Sequence, residues 1–137
     1  MRTVAAARVV LGVATAAGLA VDAWVHFDLA STYDRVGSAI TEGALFRAQA
    51  AAALLACVIV LRWRGVRSFA FALLVASTAL LALIAATYLR IGAIGPFPDM
   101  SEPTWFPEKA RAAIGEAVAL FAAASGVVTG LLHRRRR

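Results

Sequence analysis

The sequence predicts an all-α fold, an integral membrane bundle of four antiparallel helices with both termini in the cytoplasm. The 137-residue chain is 61% hydrophobic and 16% charged, whereas an ordinary soluble domain is about 45–50% apolar and about 25% charged. The apolar residues are concentrated in four long runs, and a bilayer core about 30 Å thick needs roughly 20 helical residues per span. Four spans account for most of the chain, so we expect residues 1–137 to form a single transmembrane domain.

The first two helices are predicted at about residues 3–27 and 40–62. The apolar run of the first helix contains one charge, Arg8. It continues through large residues as far as Phe27, where a signal peptide would need small residues for cleavage, so we expect a retained helix. The apolar run of the second helix is broken only by Gln49.

The third and fourth helices are predicted at about residues 67–90 and 108–133. The third contains the longest stretch without a charge, residues 69–89. Only residues 63–66 separate the second helix from the third, and so short a connection predicts an antiparallel hairpin.

Two longer connections, residues 28–39 and 91–107, are predicted to lie on the outer face. The first is rich in turn-forming residues, and Ser38 or Thr41 is expected to cap the second helix. The second contains all four prolines and three aromatic residues. It predicts either an ordered lid or an aromatic anchor at the level of the lipid headgroups. Its last residue, Pro107, suits the first turn of a helix, where a missing N–H costs nothing.

Charge separates the two sides of the predicted membrane. The outer side receives all eight carboxylates: Asp22, Asp28, Asp34, Glu42, Asp99, Glu102, Glu108 and Glu116. The segments on the other side carry only positive charge: Arg2, Arg8, Arg62, Arg64, Arg67 and Arg134 to Arg137. Short basic segments stay cytoplasmic, so we expect the N-terminus and the C-terminus inside. The layout resembles that of many small four-span proteins of bacterial plasma membranes, and the Ala, Val and Arg richness fits a high-GC genome.

Composition also bounds the partners. The net charge of +6 comes mostly from arginines beside the membrane, which predicts contact with the lipid bilayer and not with nucleic acid. The single cysteine, Cys57, excludes an intrachain disulfide and enzymes that relay thiols through paired cysteines. Gly126 and Gly130 form a GxxxG motif, which serves either packing inside the bundle or a homo-oligomer or membrane partner subunit.

Several ionisable residues lie below the predicted outer surface, where a charge costs a few kcal/mol on insertion scales. Asp22 and His26 are four residues apart and share a helix face. Glu116 has no cation at neighbouring positions of its own helix, and Arg47 has no carboxylate, so we expect these two to pair across helices. The predicted network therefore contains Asp22, His26, Arg47 and Glu116, surrounded by Glu42, Gln49, Tyr88 and Arg90.

This network has one structural and three functional interpretations. It locks the helices in register, or it forms an outward-facing pocket for a lipid-like or quinone-like ligand or a partner, with Arg47 and Arg90 binding an anionic or carbonyl group. A metal site would use Asp22, His26 and Glu116, with Glu42 as a further candidate. An acid–base membrane isomerase would use the same cluster.

We favour a non-enzymatic binding or accessory protein over an enzyme. The sequence specifies neither a cofactor nor a catalytic residue. A bis-His haem within one chain is excluded, because the second histidine, His133, lies at the opposite side of the predicted membrane.

Overall fold

The computed structural model describes residues 2–37 and 39–135, and this part of the chain forms four helices. They are α1 (Arg2–Ala30), α2 (Glu42–Trp63), α3 (Val66–Tyr88) and α4 (Pro107–Arg135). The shortest, α2, has 22 residues and is therefore about 33 Å long. By length and composition all four are able to cross a membrane, which confirms the predicted all-α class with four helices of spanning length.

The helix boundaries lie within three residues of the predicted ones. Helix α2 begins at Glu42 because Thr41 caps it: the Thr41 hydroxyl accepts a hydrogen bond from the Ala44 amide at 3.1 Å. Pro107 occupies the first position of α4, as expected. The predicted cap Ser38 and the last two residues of the basic tail, 136–137, lie outside the described residues.

Helices α2 and α3 form the predicted hairpin. Arg64 adopts a left-handed conformation (φ 41°, ψ 28°), and its amide donates to the Val60 carbonyl at 3.2 Å. Gly65 then precedes the first residue of α3. Helix α1 packs along both α2 and α4, α4 also packs along α3, and α2 and α3 contact each other less.

Glycines bring the helices into close contact. A Cβ on Gly18 of α1 would collide with the Gly115 carbonyl and lie 2.7 Å from the Ala119 amide of α4. In membranes such contacts between small residues replace the missing hydrophobic drive for helix association. The α1 and α4 backbones therefore touch at this crossing.

The GxxxG motif packs inside the bundle. A Cβ on Gly126 would collide with the ring of Phe69, and a Cβ on Gly130 would collide with Val66, both on α3 of the same chain. The motif therefore packs against the chain's own α3, and a role in binding a second subunit stays a prediction.

Large apolar side chains lie on the outside of the bundle, and small ones fill the inside. Phe121, Val10 and Leu81 are 69%, 66% and 65% exposed, whereas Ala53 and Ala76 are fully buried. Water-soluble monomers rarely expose contiguous apolar surface on this scale. The exterior thus has the composition expected of a surface in contact with lipid.

The Gly18 contact predicts a sharp difference between neighbouring positions. Gly18→Val should lower the apparent Tm of the detergent-purified protein, because overpacking a tight contact costs about 1–3 kcal/mol. Ala17→Val, on the exposed side of the same helix, is the matched control and should leave Tm nearly unchanged. Equal melting temperatures for the two variants would contradict the close α1–α4 contact.

Candidate functional site

Three polar side chains from α1 and α4 meet inside the bundle, and we call them the carboxylate–histidine cluster. Asp22 and His26 lie one turn apart on α1, and Glu116 comes from α4. One carboxylate oxygen or imidazole nitrogen of each residue lies within 4.8 Å of the others. Asp22 is fully buried, Glu116 is 1% exposed and His26 is half-buried. Three of the four residues of the predicted network are thus brought together.

The contact between α1 and α4 places this cluster. Gly115 immediately precedes Glu116, and Gly18 lies one turn before Asp22 on the same face of α1. Because the two backbones touch at the glycines, the carboxylates that follow them face each other at short range.

The carboxylate of Asp22 is fixed from a third helix. Gln49 of α2 donates from Nε2 to Asp22 Oδ2 at 2.8 Å. His26 Nδ1 lies 2.7 Å from Asp22 Oδ1 and 3.0 Å from the Asp22 carbonyl oxygen. When the Nδ1 proton points to the carbonyl, Oδ1 has no well-oriented donor within the described residues. The role of Nδ1 depends on which ring nitrogen carries the proton.

Glu116 is the least satisfied polar group of the cluster. Within residues 2–37 and 39–135, neither of its carboxylate oxygens has a hydrogen-bond partner. Ala112 and Ala119 flank it on its own helix face, so α4 offers it no donor. A buried carboxylate without a partner costs several kcal/mol, and Glu116 therefore requires a neutralising cation or proton.

The predicted pairing of Arg47 with Glu116 is wrong. Arg47 forms a two-pronged ion pair with Asp34, with distances of 2.5 Å from Nη1 to Oδ1 and 2.7 Å from Nη2 to Oδ2. Both side chains are largely exposed, at 47% and 42%. Arg47 lies on the outer side of α2, so it satisfies its charge at the surface and leaves the cluster without its expected arginine.

A glycine allows the ion pair between Arg47 and Asp34 to form. A Cβ on Gly43 would collide with the Ala30 carbonyl and with the Asp34 carboxylate, so only glycine lets the first connection fold back against α2. The Arg47 guanidinium hydrogen-bonds to the Asp34 carboxylate and lowers the pKa of that carboxyl below its usual value.

Two other predicted site residues lie away from the cluster. Tyr88 is 68% exposed, and Arg90 is also exposed. The inward-facing residue at this end of α3 is Thr87, which is buried and hydrogen-bonds to the Leu83 carbonyl at 2.7 Å. The helical phase of α3 therefore directs Tyr88 outward. Tyr88 and Arg90 were predicted at the site from their positions along the chain, which do not give the direction of a side chain around the helix.

A cavity of about 370 Å³ lies between the first half of α2 and the second half of α3. Its apolar wall is formed by Val25, Leu29, Leu45, Phe46 and Leu83. Two further lining residues, His26 and Gln49, connect the cavity to the carboxylate–histidine cluster. Tyr33, Glu42, Glu102 and Lys109 are the other ionisable groups that line it. The predicted residues Glu42 and Gln49 are thus placed at one site with His26.

The second connection covers the end of this cavity. The Glu102 amide donates to the Ala86 carbonyl at 2.8 Å, and the Ile40 amide donates to the Pro96 carbonyl at 3.2 Å. Met100 and Phe106 line the cavity from this side. The segment is therefore ordered against the helices, which agrees with the lid interpretation, while Trp105 is 47% exposed, as an aromatic anchor would be.

Lys109 and Glu102 were missed as site residues. Lys109 is 6% exposed, and its ammonium donates to the carbonyls of Thr104 (3.2 Å) and Glu102. Tyr33, half-buried at the same end, has a raised pKa because of burial and the nearby negative charges of Glu102 and Glu42. In the sequence, a buried lysine at the start of a membrane helix looks the same as a lysine that contacts lipid headgroups. No sequence signal therefore identified Lys109 as a buried site residue.

No protein-family model matches the chain, and neither a curated protein nor a solved structure matches it significantly. A functional assignment therefore rests on the side chains of the cluster and the cavity.

The ion pair on the first connection predicts a pH dependence. Because the folded-state pKa of Asp34 is lowered, its contribution to stability is complete above the unfolded value and is lost as pH falls through the folded value. Asp34→Asn should therefore lower the apparent Tm near about pH 6, and the difference from wild type should shrink below about pH 4. Asp28→Asn, an exposed acid in the last turn of α1, is the control. A pH-independent difference for Asp34→Asn would contradict the ion pair.

Proposed function

We propose that this chain is a multi-pass protein of a bacterial plasma membrane, with both termini in the cytoplasm, that binds an amphipathic small molecule in the cavity between α2 and α3. The observation that carries the proposal is the cavity itself, which combines apolar walls with a few converging polar groups.

The exterior supports the membrane location. Large apolar side chains cover the outside of all four helices, and the helix ends with the hairpin turn carry Arg62, Arg64 and Arg67 without a carboxylate. Positive charge of this kind on short connections favours the cytoplasmic side. The end with the cavity and the acidic connections would then face outward.

The size and lining of the cavity support a small-molecule ligand. Ligand sites commonly have volumes of about 300–1,000 Å³, mostly apolar walls and a small number of polar groups that fix orientation. The cavity of about 370 Å³ fits this description. It borders α2 and α3, the two helices of the hairpin that pack together least, and this gap offers a path for an apolar tail.

The polar groups favour a neutral headgroup. Arg47 is engaged by Asp34 at the surface, and Arg90 is outside the cavity lining, so neither expected arginine supports an anionic headgroup. The lining contains Glu42 and Glu102 against Lys109, whose ammonium already binds two carbonyls. A carbonyl or hydroxyl group, as in a quinone or a monoacylglycerol, would hydrogen-bond to Tyr33, His26 or Gln49.

Topology is tested by labelling a single cysteine. In a Cys57→Ser background, Ser101→Cys should react with a membrane-impermeant maleimide in intact cells, because residue 101 belongs to the outer connection. Arg135→Cys, at the cytoplasmic end of α4, should react only after permeabilisation. The reverse pattern would overturn the proposed orientation.

Ligand binding is tested by filling the cavity. Native mass spectrometry of the detergent-purified protein with added short-tailed ubiquinone or monoacylglycerol should detect a one-to-one complex. Ala82→Phe projects a ring into the cavity lining and should weaken the complex at least tenfold, which corresponds to about 1.4 kcal/mol. Ala70→Phe, on the exposed side of the same helix, is the matched control. A complex that survives Ala82→Phe unchanged, or the absence of any complex, would refute the cavity as a ligand site.

A further inference from the structure

We propose that Asp22, His26 and Glu116 bind one divalent transition-metal ion, of the zinc or manganese class, inside the bundle. This site adjoins the amphipathic-ligand cavity at His26, but it does not depend on that proposal.

The first argument is the convergence of ligand atoms. Helix α1 supplies a carboxylate and an imidazole at positions i and i+4, which face the same way, and α4 supplies a second carboxylate. The three donor atoms lie within 4.8 Å of one another. Two oxygens and one imidazole nitrogen form a ligand set that zinc, manganese and iron(II) accept.

The second argument is independent of this geometry and concerns unsatisfied atoms. Neither carboxylate oxygen of Glu116 has a hydrogen-bond donor in the described part of the chain, and Asp22 Oδ1 has none when the proton of His26 Nδ1, 2.7 Å away, points to the Asp22 carbonyl. Asp22 is fully buried and Glu116 is 1% exposed, so bulk water does not replace the missing donors. Three buried acceptors directed into one small space are costly unless a proton or a metal ion lies between them.

The third argument is that an arginine and a lysine at the cavity end of the bundle are already engaged. Arg47 pairs with Asp34, and the Lys109 ammonium donates to the carbonyls of Glu102 and Thr104. A divalent ion neutralises two carboxylates, whereas one shared proton neutralises only one of them. In a medium of low dielectric constant the residual charge is costly, and this favours the metal.

The surroundings of the cluster suit a metal ion as well. Gln49 donates to Asp22 Oδ2 at 2.8 Å and so holds the carboxylate with Oδ1 directed toward the cluster, as outer-shell hydrogen bonds do at known metal sites. With its proton on Nε2, His26 presents the Nδ1 lone pair beside Asp22 Oδ1. His26 also lines the cavity, which gives an ion a route to the cluster.

The test begins with the wild-type protein, purified in detergent, stripped with EDTA and titrated with ZnCl₂, MnCl₂ or CoCl₂. Elemental analysis after desalting should give about one zinc or manganese ion per chain. The metal should raise the apparent Tm, because an ion that binds only the folded state stabilises it. Cobalt should give visible absorption bands of a nitrogen- and oxygen-ligated ion, a readout that needs no variant.

Matched variants locate the site. Glu116→Gln and His26→Ala should each abolish stoichiometric binding, and Gln49→Ala should weaken it by about 10- to 100-fold. His133→Ala and Glu108→Gln change the same residue types outside the cluster and should bind as wild type does. Ala82→Phe should retain the metal even if it loses the amphipathic ligand, so the two proposals fail separately.

Two results would overturn the proposal. One is wild-type protein that binds less than a stoichiometric amount of every metal, with a Tm unaffected by EDTA or zinc. The other is binding that persists in Glu116→Gln and disappears in His133→Ala. A Tm that rises in Glu116→Gln without any metal dependence of the wild type would instead identify a carboxyl pair that shares a proton.

Discussion

The contact between α1 and α4 at Gly18 and Gly115 is the constraint on which the polar interior depends. Neither glycine has room for a Cβ, because each faces a backbone carbonyl of the other helix. One turn further along α1, and one residue further along α4, the same approach brings Asp22 opposite Glu116. A wider separation would enlarge the gap between the carboxylates and move α4 relative to α3. This close backbone contact and the carboxylate–histidine cluster are therefore parts of one arrangement.

The cavity, in contrast, results from an incomplete contact between α2 and α3. At the hairpin end, Val60 of α2 and Phe69 of α3 belong to a closely packed core. Toward the opposite end, Phe46 of α2 and the alanines of α3 line open space instead of touching. The ordered second connection closes part of this space with Met100 and Phe106. The α2–α3 hairpin is thus closely packed near its turn and open at the end that carries Glu42.

The sequence predicted the helices well because each contains a long apolar run with few charges. It also placed Asp22, His26 and Glu116 at matching depth, and they do meet. The predicted pairing of Arg47 with Glu116 was wrong for a physical reason. Hydrophobic patterning gives the position of a residue along the helix axis, but the direction of its side chain around the helix depends on the neighbouring helices. The partner of Arg47 was Asp34, in a connection whose path depends on the absence of a Cβ at Gly43.

The location of Glu116 has a consequence for the order in which the bundle is completed. Helix α4 is the least apolar of the four, with a mean hydropathy of 1.7 compared with 2.0 to 2.5 for the others, and a buried carboxylate adds to its cost of insertion. Its main partner is α1, which precedes it in the chain and is synthesised earlier. The α1 surface that packs against Glu116 is therefore already made when α4 is completed, so the least apolar helix can be accommodated by a preformed partner.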